Sequence, residues 1–541
     1  MKTAVLDAGR WTLGWAACSR ELSPLHFILL NLVLGVGHFV SILSAGAYLP
    51  MLPYVAGSIG EGLAYAVWGQ SNYFIAMGAA FLLARPLMAR LGARDAAISA
   101  YVLFAFASLL VLLSTRYYPI FTFARTLQGL AAGLSLSPSL ALLLDQYKKS
   151  HQKVAVSLWS LAVFAPFSIG PALGGFFAYK LGDWRWLFVV SFAASLCVAV
   201  FLWALTERPE AQKMSEVPPL AGPWRSFLLF GGAAIALQEF FDVGLISDMT
   251  SNEYGLWWIG SLFVLFATLF CIHNRHATHP ILKTAIFRYP NFRLGFVILC
   301  LAFIGLQSSI VQYLIRLQTV EGFTAWHAGL LFLPLFAFSK PLNLWAQHLL
   351  HRGYDPRLLA TVAFVGLAAS FWWMSLYARP ATWETLLWPQ FLEGAALGLL
   401  FISLNHIALS NVPDAEQLHG IDVLNAFRNM AAGLAITISD ITWDHYLARH
   451  RNYLNGPDAA LSQNYFDAVL QSGDMPAAAI RHEMHAQASL QSGLLNLNAM
   501  FHFLGMYFLA LAAMVWLVRS RHILHKDKKL EQIVESLGEE P

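Results

Sequence analysis

The sequence is poor in charge. Lys, Arg, Asp and Glu make up 12% of its 541 residues, about half of the ~25% found in an ordinary soluble domain. The formal net charge is +3, which leaves no basic footprint for a polyphosphate and excludes nucleic acid as a partner. Cysteine is scarce too. Cys18, Cys197, Cys271 and Cys300 show no CxxC spacing, so neither a disulfide framework nor a thiolate metal site is expected. No Walker A pattern occurs, which argues against ATP-driven pumping by this chain alone. GxSxG is missing, and His482-Glu483-Met-His485 has the wrong spacing for HExxH. The reading is therefore of a protein that is not an enzyme and has no cofactor and no metal.

What is abundant is apolar sequence, 57% of the chain, with a mean hydropathy of +0.56. A membrane-spanning helix needs about 20 apolar residues. The apolar runs predict spans near 27–49, 65–84, 97–114, 119–143, 156–179, 187–205, 225–243, 255–272, 294–314, 327–347, 358–377, 384–408, 419–441 and 497–518. Lys and Arg concentrate in alternate loops: Arg90 and Arg94; Lys148, Lys149 and Lys153; Arg208 and Lys213; Arg275, Lys283 and Arg288; Arg352 and Arg357. The positive-inside rule then places both chain ends in the cytoplasm, with Arg116, Lys180, Arg185, Arg316 and Arg379 in short outer loops. Residues 1–24 read as a cytoplasmic N-terminal segment, and 520–541 as a cytoplasmic tail. Residues 442–496 read as a long polar extracytoplasmic loop, in which the Ala-rich run Met475–Gln491 has helix-forming composition. That loop is either a docking surface for a periplasmic adaptor protein or a solvated cap over the last two helices.

An internal echo divides the chain. In 124–144, ARTLQGLAAGLSLSPSLALLL, the residues Leu127, Gly129, Ala131, Gly133 and Leu134 match Leu392, Gly394, Ala396, Gly398 and Leu399 of 389–409. Arg125 and Gln128 align with Gln390 and Glu393. A second echo pairs FLLARPL, 81–87, with FAFSKPL, 336–342. Repeats of this kind mark the halves of many transporters. The stretch Trp159–Trp186 stands apart from the echo. It carries Gly170-Pro171 and Gly174-Gly175, so Gly170 and Gly174 lie one turn apart on one helix face, where a neighbouring backbone can approach closely. Pro171 removes a backbone donor and bends the helix.

This stretch, with its Gly182-Asp-Trp-Arg-Trp186 ending, resembles the fifth-helix signature of proton-coupled antiporters. Arg125-Thr-Leu-Gln128-Gly129 resembles the fourth-helix motif of the same proteins. ALQEFFDVG, 236–244, HPILKTAIFRYPNFR, 279–293, and LNAFRNMAAGLA, 424–435, extend the likeness. Together they resemble the fourteen-helix drug:proton antiporter branch of the major facilitator superfamily. The resemblance implies an all-α polytopic membrane protein with the major facilitator fold, two six-helix bundles plus two inserted helices. The bundles would span 25–206 and 293–519, and the linker with its inserted pair would span 207–292. It implies a proton-coupled antiporter that exports small amphiphilic compounds or drugs across the inner membrane. Its partners would be a small-molecule substrate, protons and membrane lipids. Two departures stand out. Arg85-Pro-Leu-Met-Ala-Arg90-Leu-Gly92 lacks the Gly and Asp of the family's usual gating loop. Ser41 stands where the first helix usually carries an Asp.

A charge in mid-membrane costs ~2.5–3.5 kcal/mol on insertion scales, so it should face a partner or a wet cavity. The candidates for a proton or substrate pathway are His38, Arg125, Gln128, Glu393, Arg428 and Asp440. Arg125 and Gln128 form either a polar relay or a structural anchor. Glu393 is either a titrating carboxylate or the static partner of Arg428. His38, three residues before Ser41 and nearly on its face, either replaces the lost carboxylate or bonds between helices. Asp440 lies near the outer end of its span, where charges commonly reach the interface. Gly170, Pro171, Gly174 and Gly175 form the antiporter motif. Central arginines without the first-helix Asp point to neutral or anionic amphiphiles. Phe164, Phe167, Phe176 and Phe177 either line an apolar pocket or pack against lipid and neighbouring helices. The alternatives are an exporter of a siderophore or other organic acid and, from another class, a non-transporting sensor or scaffold or a membrane-embedded enzyme.

Overall fold

Inside a bilayer every backbone N–H and C=O must be bonded within the chain, so long apolar runs fold as helices. The computed structural model describes residues 23–114, 116–148, 151, 155, 166, 168–207, 221–246, 253–377, 382–454 and 477–519. Its elements are all helices. Eleven of those described are long and apolar enough to cross a membrane.

The first, α1 (Pro24–Tyr48), runs through a 3-10 turn at Leu49–Met51 into α2 (Leu52–Ile59). Next comes α3 (Leu63–Leu113), which at 51 residues would be ~77 Å long if straight, against a hydrocarbon core of ~30 Å. It breaks at Gly92, whose φ of 80° and ψ of 158° suit only a residue without Cβ. The two arms are the spans expected at 65–84 and 97–114. Four helices follow: α4 (Tyr118–Gln146), α5 (Trp186–Leu205), α6 (Ala221–Ile246) and α7 (Glu253–His276). The second half of the chain holds α8 (Pro290–Ile315), short α9 (Ala325–Leu330), α10 (Leu333–His351), α11 (Pro356–Ser375), α12 (Trp383–Leu409), α13 (Asp414–Leu454) and α14 (Ala477–Met514).

The fifth expected span, 156–179, is described only at 166 and from 168 onward, where it is helical and ends in a π turn at Phe176–Lys180. Phe164 and Phe167 lie outside the described residues, as do the 1–22 segment, 208–220, 455–476 and the 520–541 tail. The 442–496 region is helical wherever it is described: α13 runs on to Leu454 and α14 starts at Ala477. Cys197, Cys271 and Cys300 are free thiols.

Packing places α3 at the centre. It lies against α4 and α5, against α6, and against α13 from the far end of the chain. Within the second half, α12 packs on α10 and α11, α11 on α14, and α8 on α13. The linker pair differs in burial. α6 is wedged against α3 and α13, whereas α7 touches chiefly α6 and leaves Trp257 and Trp258 more than 70% exposed. Two arginines expected in loops are pulled inward. Arg94 bonds the Trp203 and Thr206 carbonyls at the end of α5, satisfying acceptors that a helix C-terminus leaves open. Arg316 is fully buried, because the chain continues past α8 in a π turn that carries it to Glu321 and Asn498, each at 3.0 Å.

Candidate functional site

The glycine pairs of the echo make equivalent contacts. A Cβ at Gly129 or Gly133 of α4 would overlap the Tyr73 or Met77 carbonyl of α3. A Cβ at Gly394 of α12 would lie 2.7 Å from the Leu335 Cα, and one at Gly398 would overlap the Ser339 carbonyl on α10. Each fourth helix of the echo thus lies backbone to backbone on its second helix. The other echo, FLLARPL with FAFSKPL, is out of register with these contacts by seven residues. Its likeness is one of composition.

The antiporter-motif glycines face protein. A Cβ at Gly170 would lie 2.9 Å from Gly46 and Ala47 of α1, and one at Gly174 would overlap the Ala47 carbonyl. Gly175 faces another way, toward the Ala325 carbonyl of α9. The contact is reciprocal, since a Cβ at Gly329 of α9 would overlap the Pro171 carbonyl. Phe176 adds an edge contact to Trp326, with ring centroids 5.7 Å apart. The sequence reading named Gly170, Pro171, Gly174 and Gly175 but missed Gly329, because nothing local to 325–330 signals that it meets a distant backbone.

Arg125 is wholly buried on α4, and all three of its guanidinium nitrogens donate. It donates to Gln128 Oε1 (2.6 Å), Gln70 Oε1 (2.7 Å), Ser44 Oγ (2.9 Å) and the Gly69 carbonyl (3.3 Å). Its guanidinium sits 4.3 Å from the Tyr48 ring centroid and 4.7 Å from that of Tyr73, a favourable cation–π arrangement. Gln128 passes the network on to Ser108 at 2.8 Å. Among the described residues no carboxylate pairs with Arg125; neutral oxygens and aromatic faces carry its charge. His38 is wholly buried on α1, six residues before Ser44.

In the second half, Gln390 and Glu393 repeat the i, i+3 pairing of Arg125 and Gln128, with Gln390 Nε2 donating to Glu393 Oε2 at 3.1 Å. Glu393 and Arg428 form no ion pair with one another, so the static-pair alternative finds no support in the geometry. Arg428, half-buried on α13, makes no hydrogen bond or ion pair with any described residue and stands over the Phe303 ring at 5.4 Å. Asp440 is buried further along α13.

A second buried cluster forms around Asp242, which the sequence reading matched within ALQEFFDVG, 236–244, without giving it a role. Asp242 of α6 accepts from Thr437 Oγ1 of α13 (2.5 Å), from Gln238 Nε2 (2.9 Å) and from Ser71 Oγ of α3 (3.4 Å). Beside it, Asn72 donates to Glu239 at 3.0 Å. Its sequence signal was Gln70-Ser71-Asn72, three polar residues in succession inside an apolar span. Toward the Gly92 break, at the far end of the first arm of α3, Arg85 pairs with Asp422 of α13 at 2.6 Å and donates to the Leu418 carbonyl. The loop that lacks the family's Gly and Asp thus still bonds to α13, with the positive partner on α3. An apolar groove of about 390 Å³ opens between α3, α4 and α6, lined by Ile75, Phe123, Leu127 and Phe227 among others. Phe176 and Phe177 are not among its lining residues, and neither are Arg125, Gln128 or Asp242.

Known proteins resemble this chain along most of its length. It is 25% identical over 501 residues to the multidrug export protein EmrB of Haemophilus influenzae, covering 91% of this chain and 96% of that one. It is 25% identical over 425 residues to the fatty acid resistance protein FarB of Neisseria gonorrhoeae, covering 78% and 81%. Among solved structures, an inward-facing bacterial homolog of the human lysosomal transporter Spinster aligns with a TM-score of 0.61 at 13% identity, covering 94% of this chain and 99% of that one. The chain is a multi-pass inner-membrane protein, and with the Major Facilitator Superfamily profile matching residues 34–436 it belongs to that superfamily of non-catalytic transporters.

Proposed function

We propose that this chain is a proton-coupled antiporter that exports small amphiphilic compounds or drugs across the inner membrane. Two six-helix bundles, with α6 and α7 as the inserted pair, rock about a central site. The observation that carries this reading is the reciprocal glycine seam, Gly175 on the Ala325 backbone and Gly329 on the Pro171 backbone. Under the positive-inside orientation this seam closes the outer side, and Arg85–Asp422 bridges the cytoplasmic side. A carrier needs such contacts at both faces, to be made and broken in turn.

Arg428 favours the substrate class. A guanidinium at mid-span without a protein counter-charge suits a neutral or anionic amphiphile better than a cation. The same residue supports the second reading, export of a siderophore or other organic acid. FarB, a fatty acid resistance protein by name, is consistent with it. α13 is 41 residues long, ~61 Å as a rod, and so outreaches the bilayer. Its outer end, with that of α14, is the surface for a periplasmic adaptor.

The test is proton release from the purified full-length protein on addition of dansyl-undecanoate, read with a pH-sensitive dye. Release is expected from wild type and should be reduced in Glu393→Gln or His38→Ala. Unchanged release in both variants removes those residues as proton carriers. No release from wild type contradicts coupling, and a protein that binds the probe without moving it across vesicles is a sensor or scaffold.

A further inference from the structure

We propose that Asp242, on the inserted helix α6, is a proton-binding site that clamps this helix to both halves of the carrier. The inference rests on the proton-coupled reading above and assigns it a residue that the aligned first-helix position, Ser41, cannot supply.

The geometry singles out this carboxylate. Asp242 is fully buried, and no Arg, Lys or His pairs with it among the described residues. A buried carboxylate without a counter-charge is strongly disfavoured unless it is hydrogen-bonded or protonated. Its partners come from three separate elements: Gln238 on its own helix, Ser71 on α3 and Thr437 on α13. Gln238 Nε2 also reaches Thr437 Oγ1 at 2.6 Å. One side chain therefore ties the inserted helix to a helix from each half.

The chemistry of the partners makes the clamp sensitive to a proton. The ionised carboxylate accepts from all three. Once a proton binds at one oxygen, the carboxyl becomes a donor there and needs an acceptor. Gln238 Nε2 cannot accept; the Ser71 or Thr437 hydroxyl can, by rotating its own hydrogen away. Ser71 has the Trp68 carbonyl within 3.1 Å to receive that hydrogen. Proton binding thus reverses one bond to α3 or α13, and the two halves are the elements an alternating carrier must move.

Among the described residues, the other titratable groups facing the site are few. Glu239 neighbours Asp242 on α6 and is held by Asn72, Tyr118 at the start of α4 feels both carboxylates, and Tyr48 of α1 lies beyond it. Asp440 follows Thr437 by three residues on α13. Under the positive-inside orientation Asp242 lies four residues from the outer end of α6, and Ser71 eight residues from the outer end of α3. Both place the site where a proton enters from outside.

Two measurements test this. In infrared pH-difference spectra of the full-length protein in lipid nanodiscs, Asp242→Asn should remove one protonated-carboxyl C=O band, and Asp242→Glu should keep a shifted one. In proteoliposomes, with protein-free vesicles subtracted, Asp242→Asn should lower pH-gradient-driven accumulation of dansyl-undecanoate at least tenfold while the thermal unfolding temperature stays near wild type. Accumulation by wild type together with an unchanged variant, in spectrum and transport alike, overturns the assignment of Asp242 alone. Wild type that ignores the gradient overturns the coupled reading and this proposal with it. An Asp242→Asn protein that unfolds early leaves the infrared arm with Asp242→Glu to decide: a band unmoved by the longer side chain overturns the assignment, and a shifted one supports it.

Discussion

Replacing Gly175 with alanine puts the outer seam to a direct test. The added methyl would overlap the Ala325 carbonyl oxygen and lie 2.5 Å from the Ala325 carbonyl carbon and 2.7 Å from the Trp326 Cα. These are backbone atoms, which cannot rotate aside as a flexible side chain does. Ordinary contact starts near 3.4 Å, so the two backbones must part by close to an ångström. Overpacking of this kind costs ~1–3 kcal/mol. Falling only on the outward-closed state, that cost shifts the closed-to-open ratio by roughly 5–150-fold. Spin labels at Tyr54 on α2 and His327 on α9, both exposed at the outer end, report the separation by double electron–electron resonance. Gly175→Ala should move the population to longer distances and slow transport. Gly57→Ala, with nothing within 4 Å of its Cβ, should do neither. A wild-type distance distribution and transport rate in Gly175→Ala would refute the reasoning.

Arg125→Lys should destabilise the protein by ~2–4 kcal/mol in detergent unfolding, because an ammonium cannot serve Gln70, Gln128, Ser44 and Gly69 at once and each orphaned buried acceptor costs ~1–3 kcal/mol; a change below ~0.5 kcal/mol would contradict the network. Arg85→Ala and Asp422→Ala should each raise thiol-reagent access to a cysteine placed at Ala426, which is buried where α13 lies against Gly78 of α3. Their double-mutant cycle should show a coupling of ~1 kcal/mol, the range for residues in direct contact, whereas additive effects would mean the pair holds nothing closed. Asp355 begins α11, accepting from the Arg357 amide at 2.9 Å and pairing with its guanidinium at 2.6 Å. Burial pushes this carboxyl up, but the bonds and charge of Arg357 outweigh burial and hold it below the ordinary carboxylate range. Its folded form is thus favoured above the unfolded value, and the benefit is lost as pH falls through the folded value. Thermal scans below pH 5 should find wild type converging on Asp355→Ala, and a constant gap across the acid range would refute this.

Much of the helical layout was legible because the bilayer leaves the backbone little choice. Apolar run length located twelve of the expected spans in the eleven described membrane-length helices, whereas 156–179 lies largely outside the described residues and α13, over 419–441, is not one of the eleven. The Gly129/Gly133 echo in Gly394/Gly398 located equivalent helix contacts, since a backbone approach that close admits no Cβ. Arg125 with Gln128 was legible as an i, i+3 pair. What stayed hidden depends on contacts far apart in sequence. Gly329 is an ordinary glycine until Pro171 comes to lie against it. Asp242 sits in a span that reads as an insert, and its meaning comes from Thr437, 195 residues away. Arg85 looked like part of a defective loop, because its acid partner is on α13 rather than in the loop itself. Arg316 was counted as a loop charge because a π turn that carries the chain inward has no compositional mark. The FLLARPL echo misled for the opposite reason: a basic residue and a proline after apolar positions recur by composition without sharing a register.

The central claim is coupling of substrate movement to protons. Its most direct measurement is uptake of dansyl-undecanoate by proteoliposomes holding the wild-type chain, with and without an imposed pH gradient and with protein-free vesicles subtracted. The account expects accumulation that follows the gradient and collapses when nigericin dissipates it. Protein-dependent uptake of the same size in the presence and absence of the gradient would contradict it.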